Sequence, residues 1–253
     1  MVKNSIVIFL LFLGLICNAQ SSALFDQATA AYNDGAYEKA IDFYKTIMDS
    51  GEHSAALYYN LGNSYYKLND IPNSIYFYEK ALLLAPNDSE ILNNLGYAQQ
   101  MTLDAIETLP ETGLSRLYKK TTATLSFDQW AYLGVGFMFL FVILYILFYY
   151  FQYSSRKRWA FIASLVSLTI AVITLLFAYI QYSDYKANRP AIIFADEIGI
   201  QAEPNTSSTE VFVLHAGTKV QVLEELNDWQ KIRLADGKTG WVSSIHLKLL
   251  KDF

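Results

Sequence analysis

The sequence predicts a multidomain membrane protein with a helical repeat domain, a two-helix transmembrane hairpin and a C-terminal all-β domain. Three observations carry this prediction: two long uncharged apolar runs, a 34-residue internal repeat before them, and short β segments after them. Each run has at least 22 residues and would span roughly 33 Å as a helix, enough for a hydrocarbon core. The alternative, a buried hairpin of a soluble protein, is disfavoured because soluble core helices rarely stay uncharged for so long.

The two apolar runs are Trp130–Phe151 and Trp159–Tyr182, and they predict transmembrane helices at 130–151 and 159–182. The loop at 152–158 is too short to hold a domain, so the chain should cross the membrane and return. It contains Arg156, Lys157 and Arg158, and short cytoplasmic loops accumulate such cations. We therefore expect a multi-pass protein of the bacterial inner membrane, with both flanking regions in the periplasm.

The N-terminus, residues 1–19, is typical of a signal peptide. Lys3 gives a cationic start, Ile6–Ile16 is apolar, and small residues before Gln20 predict cleavage after Ala19. An uncleaved anchor is the alternative. Cys17 is the one cysteine in the sequence, so a cleaved chain would have no disulfide or thiol chemistry.

Composition and motifs argue against several classes of function. The formal net charge is −5, and residues 20–129 carry 14 acidic against 7 basic side chains, which disfavours nucleic acid as a partner. His53, His215 and His246 lie far apart in sequence, without ligands at metal-site spacing. Nucleotide-binding glycine motifs and a nucleophile elbow are also missing from the sequence. We expect no catalytic residue, cofactor or metal, and no enzymatic activity.

Residues 20–108 repeat with a period of 34 residues. Leu61-Gly62 recurs as Leu95-Gly96, and Tyr44 recurs as Tyr78. This period and order of residues resemble the tetratricopeptide repeat (TPR), a helix–turn–helix unit that stacks into a solenoid. We expect two repeats and the first helix of a third, at about Ser89–Leu103.

The resemblance to TPR domains implies a concave groove that binds a peptide or a partner helix. Asn side chains suit this role because they can pair with both N–H and C=O groups of an extended peptide. The cations that accompany Asn in carboxylate-binding TPR domains are not evident. Packing or solvation of the helix face explains the same residues equally well. The candidate groove residues are Tyr59, Asn60, Asn63, Tyr66, Asn94 and Tyr97.

After a linker at 109–129 and the hairpin, residues 183–253 predict six short strands, separated by turn residues. Asp236-Gly237 is the strongest hairpin signal. The segments Trp229–Ile232 and Asp236–Val242 resemble a bacterial SH3 domain, which implies a small β-barrel that binds peptides or cell-wall glycans. Trp229 and Trp241 are candidate surface aromatics, although they could instead pack the barrel. The predicted strands are 191–194, 199–202, 210–214, 218–224, 229–234 and 239–242.

The whole architecture resembles the BatE proteins of Bacteroidetes-type bacteria. That resemblance implies a non-enzymatic scaffold in an aerotolerance or envelope-stress system. Its partners would be Bat-type membrane proteins with von Willebrand domains, linked to a MoxR-type ATPase. A cell-wall anchor whose SH3-like domain binds peptidoglycan is the alternative function.

Overall fold

The computed structural model describes residues 22–106, 113, 122 and 124–251. The predicted signal peptide and most of the predicted linker lie outside these residues. The chain divides into two compact units: residues 109–188 form one, and the segments on either side of them together form the other. The discontinuous unit thus contains both the repeat domain and the β domain.

The repeat domain consists of five helices in the described residues. They are α1 (22–33), α2 (Tyr37–Asp49), α3 (Ala55–Lys67), α4 (Ile71–Leu84) and α5 (Ser89–Gln99). We call α1, α3 and α5 the A helices, and α2 and α4 the B helices that follow them. Two helix pairs and a final A helix are therefore present, as the sequence predicts.

Local sequence sets the helix ends. Ser54, Asp70 and Asp88 cap α3, α4 and α5 by accepting backbone N–H hydrogen bonds. The turns from A to B helices pass through Gly35 (φ 78°) and Asn69 (φ 59°), which lie 34 residues apart. Glycine and asparagine are the residues that adopt this left-handed conformation most readily.

The C-terminal domain has seven strands: β1 (Arg189–Ile193), β2 (Glu197–Gln201), β3 (Glu210–His215), β4 (Lys219–Leu226), β5 (Trp229–Arg233), β6 (Thr239–Ser243) and β7 (Leu247–Leu249). They form one antiparallel sheet in the order β3-β2-β6-β5-β4-β1-β7. The predicted Asp236-Gly237 hairpin between β5 and β6 is confirmed, with Gly237 at φ 91°.

The prediction of a closed barrel is wrong, because the sheet is open. Closure would require β3 to pair with β7, and these two strands are its edges. The free side of β7 instead faces α4, where the Tyr76 hydroxyl donates to the Leu249 carbonyl at 3.2 Å. A helix that covers an edge strand removes the need for further strand pairing.

The β domain packs against the repeat domain within the same unit. Ile192 and Leu250 are fully buried in the hydrophobic cluster of the helices, and the Tyr76 and Phe194 rings meet edge to face at 5.8 Å. Strand β1 is therefore apolar on both faces. Ile192 packs against the helices, whereas Ala191 and Ile193 on the other face belong to the core of the sheet.

Polar contacts join the same two domains. Asp104 accepts hydrogen bonds from the backbone N–H of His215 (2.8 Å), from the Thr218 hydroxyl and from the His215 Nδ1 (2.7 Å). Burial raises the pKa of Asp104, but these hydrogen bonds outweigh it, and the pKa lies below its ordinary value. Lys219 forms an ion pair at 2.6 Å with Glu79, whose side chain is only 7% exposed. The repeat domain and the β domain are therefore packed together in one compact unit.

The second unit is a helical hairpin. Its helices, α6 (Phe127–Tyr150) and α7 (Ser154–Ala187), are both long and apolar enough to cross a membrane. The side of α7 that faces α6 carries small or short side chains, and the Ser167 hydroxyl donates to the Phe137 carbonyl at 2.7 Å. The buried residues of α7 are Ala160, Ser164, Ser167, Ala171, Thr174 and Ala178.

Candidate functional site

The repeat domain contains a polar, tyrosine-rich cavity of about 270 Å³. It is lined mainly by side chains of the A helices, and one side chain of a B helix, Tyr78 of α4, also contributes. This is the side on which the sequence predicts a groove. The lining residues are Tyr32, Tyr59, Asn63, Tyr66, Lys67, Tyr78, Asn94 and Tyr97.

Two asparagines at the cavity are held by a shared hydrogen-bond network. Asn63 Oδ1 accepts from the Tyr78 hydroxyl (2.6 Å) and from Asn94 Nδ2 (2.9 Å), and Asn94 Nδ2 also donates to the Tyr59 hydroxyl (2.9 Å). An amide has one acceptor oxygen and two N–H donors. Within the described residues, this leaves the N–H groups of Asn63 and the carbonyl oxygen of Asn94 for a ligand.

The network is part of the repeat. Thirty-four residues before Tyr78 and Asn63 lie Tyr44 and Thr29, whose hydroxyl groups are 3.2 Å apart. Each B-helix tyrosine thus holds the polar residue of its own A helix in place. Burial raises the pKa of both tyrosines, most strongly that of Tyr78, so they remain neutral hydrogen-bonding groups at physiological pH.

Charge in the cavity comes from Lys67, since the other described residues that line it are tyrosines and asparagines. Tyr32 also has a raised pKa, owing to burial and then to the neighbouring Tyr37. The cavity can therefore both donate and accept hydrogen bonds, through its tyrosine hydroxyl and asparagine amide groups, and it carries one positive charge. This chemistry suits an extended peptide with exposed carbonyl or carboxylate oxygens.

Five of the six candidate groove residues come together at the cavity, and Asn60 does not line it. Asn60 lies on α3 about one turn before Asn63, and it is half-buried. The other three lining residues, Tyr32, Lys67 and Tyr78, are not among the six candidates. Tyr32 is the 34-residue equivalent of Tyr66, so strict use of the period would have found it, whereas Tyr78 looked like a packing residue.

The two candidate tryptophans lie on the outer face of the sheet. Trp229 pairs with Ser243 across β5 and β6, and Trp241 pairs with Lys231, which places both rings on one side. Ile232 on the opposite side is fully buried, whereas both tryptophans are half-buried. The Lys231 ammonium lies over the Trp241 ring, 5.8 Å from its centre.

Structure also brings His215 next to Asp104, a pair that resembles a catalytic dyad but lies between the two domains. His53 Nδ1 is 2.6 Å from the Tyr58 hydroxyl at the edge of the helical core. Within residues 22–106 and 124–251, the structure brings together no group of three or more metal-ligating side chains.

Comparison with protein families identifies two domains. Residues 55–88 match the tetratricopeptide repeat, and residues 200–248 match the bacterial SH3 domain. No curated protein matches the chain. The matched repeat covers α3 and α4, which supply most of the cavity, and the matched SH3 region includes both surface tryptophans. This domain content suggests protein interaction or cell-wall binding.

Proposed function

We propose that this protein is a non-enzymatic scaffold of the bacterial inner membrane whose TPR groove binds a peptide segment of a partner. The observation that carries this proposal is the asparagine network at the cavity. Asn63 and Asn94 are fixed by Tyr78 and Tyr59, and they keep unused amide groups directed at a ligand. Side chains that are fixed before binding lose little entropy when they bind.

Two further features support the role of a scaffold. The hairpin helices α6 and α7 contain no charged residue between Gln129 and Tyr153, or between Trp159 and Ser183, which is the composition of an anchor. The cations at 156–158 favour a periplasmic location for the remaining domains.

The partners that we propose come from the resemblance to BatE proteins: membrane proteins with von Willebrand domains, linked to a MoxR-type ATPase. The test is to purify the tagged full chain from cross-linked native membranes and to quantify these proteins by mass spectrometry. We expect Asn63→Ala and Asn94→Ala to reduce their recovery by about tenfold. Asn60→Ala is the matched control, because Asn60 is outside the cavity. Equal recovery with all three variants would contradict the proposal.

A second candidate function is binding to peptidoglycan, which the half-buried Trp229 and Trp241 on the outer face of the sheet favour. Aromatic faces accept sugar rings by stacking, and a cation such as Lys231 could pair with peptide carboxylates of the cell wall. The full chain in detergent would be sedimented with purified sacculi. Retention that is lost in Trp229→Ala or Trp241→Ala would support this function, and no retention of the wild type would remove it.

A further inference from the structure

A cavity of about 400 Å³ lies at the turn of the hairpin, between the end of α6 and the start of α7. One of the side chains that line it, Phe148, comes from α6. The others come from the first two turns of α7 and are Ser154, Lys157, Arg158 and Phe161. Because Ser154 and Phe161 lie three or four residues from both cations, these four side chains share one face of the helix.

The cavity combines positive charge with an aromatic wall. The Phe148 and Phe161 rings are 5.3 Å apart, and the Lys157 ammonium lies over the Phe148 ring, 5.2 Å from its centre. No Asp or Glu occurs between Gln129 and Ser183, so this part of the hairpin offers the cations no carboxylate. A cavity with this charge favours a ligand that brings negative charge to it.

The residues around this cavity favour a position at the boundary of a membrane. Both helices are apolar enough to cross a membrane, and four aromatic side chains next to the cavity in sequence are at least 70% exposed. Exposed Tyr and Trp are enriched where hydrocarbon meets the lipid headgroups. A ligand would therefore meet the cations at headgroup level and the two phenyl rings at the level of the acyl chains. The four aromatic residues are Tyr149, Tyr150, Tyr153 and Trp159.

We propose that this cavity binds an anionic phospholipid, an inference that rests on the membrane location proposed above. Lys157 and Arg158 pair with the phosphate, which the planar guanidinium can hold by two hydrogen bonds, and the Ser154 hydroxyl can donate another. Phe148 and Phe161 contact the first part of an acyl chain. A zwitterionic lipid brings an ammonium group that the two cations repel, so the site prefers a lipid such as phosphatidylglycerol.

Native mass spectrometry of the detergent-purified full chain tests this preference. The chain is offered equal amounts of phosphatidylglycerol and phosphatidylcholine with identical acyl chains, so the two lipids differ in the headgroup alone. We expect phosphatidylglycerol adducts to exceed phosphatidylcholine adducts by about tenfold or more, because each cation near an anionic headgroup contributes a factor of about five.

Three variants with the same change in charge locate the site. Lys157→Gln and Arg158→Gln should each lower the preference by about fivefold, and Lys157→Arg, which keeps the charge, should retain it. Arg156→Gln is the matched control, because Arg156 does not line the cavity and its guanidinium lies over the Tyr153 ring, 5.4 Å from its centre. Its preference should equal that of the wild type. Thermal unfolding of each variant is followed by circular dichroism in parallel.

Three results would overturn the proposal. The first is equal amounts of the two lipids on the wild type. The second is an equal loss in all three Gln variants, since the preference would then follow the net charge of the turn and not the cavity. The third is loss of the preference in excess inorganic phosphate at constant ionic strength, because the ligand would then be a soluble anion.

These results are distinguishable from a failure of the proposed function. Recovery of partner proteins depends on Asn63 and Asn94, and it should be unchanged in Lys157→Gln and Arg158→Gln. A wild-type chain that is extracted from cells without detergent would refute the membrane location itself. Equal binding of the two lipids by a chain that needs detergent would refute the lipid site alone.

Discussion

The two glycines 34 residues apart allow one substitution to be compared in two environments. Gly62→Ala adds a methyl group 2.5 Å and 2.6 Å from two ring carbons of Tyr78. That ring cannot easily yield, because it is 1% exposed and its hydroxyl is bonded to Asn63. Gly96→Ala adds the same methyl group where no heavy atom of the described residues lies within 4 Å. Both changes gain about 0.5–1 kcal/mol in helix propensity.

Because the propensity gain is shared, the difference between the two variants reports the steric overlap alone. Overpacking of this kind typically costs about 1–3 kcal/mol. We therefore expect Gly96→Ala to be slightly more stable than the wild type, and Gly62→Ala to be roughly 1–3 kcal/mol less stable than Gly96→Ala. The assay is urea unfolding of the detergent-solubilised full chain, followed by circular dichroism at a helix-sensitive wavelength. If Gly62→Ala is as stable as Gly96→Ala, the packing of Tyr78 on Gly62 is not as described.

Three further predictions concern contacts between elements. Asp104→Asn removes the negative charge and replaces one of the two acceptor oxygens by an NH2 group, so one of the two contacts with His215 is lost. This should cost about 2–3 kcal/mol in urea unfolding at pH 7. Because the folded pKa of Asp104 is lowered, the stability that it contributes is present above the unfolded pKa of about 4 and is lost as the pH falls through the folded pKa. The difference in stability between wild type and variant should therefore shrink as the medium is made acidic. Lys219→Met removes the partner of the buried Glu79 carboxylate and should lower the free energy of unfolding by roughly 1–2 kcal/mol. The expected loss is small for a buried charge because Lys219 is half-exposed and solvent screens the pair. Lys219→Arg, which keeps the charge, should retain most of the stability in the same assay. Ser167→Ala removes one bond between the hairpin helices and should cost only about 0.6 kcal/mol in SDS titration, and a loss above about 2 kcal/mol would mean that the hairpin is held by more than packing.

Much of the fold could be predicted because its signals are local. The 34-residue period places two helix pairs and α5, and the positions of Pro, Asp and Ser set their ends. The apolar runs predict two long helices, although α7 begins at Ser154 and so contains the cations that the sequence assigned to a loop. Alternating residues and Asp236-Gly237 place β5 and β6. Hydrophobic periodicity and turn chemistry act over a few residues and can be seen without the fold.

The candidate groove was predictable to the extent that the repeat is exact. Projection of the period brings Asn63, Asn94 and three tyrosines to one face, and the structure places them around one cavity. What the period could not show is the hydrogen-bond network, because Tyr78 contributes from the B helix.

The sequence by itself determined the kinds of element in this protein, because helix period, strand alternation and the length of an apolar run are properties of short segments. Only the tertiary structure decided how the segments on either side of the hairpin combine. Asp104 and His215 are 111 residues apart, and Tyr76 meets Leu249 across 173 residues. Such contacts depend on shape and charge complementarity between surfaces that are far apart in sequence, so no short segment reveals them. The same tertiary packing places Tyr76 of α4 at the free edge of β7, the edge that a closed barrel would have paired with β3.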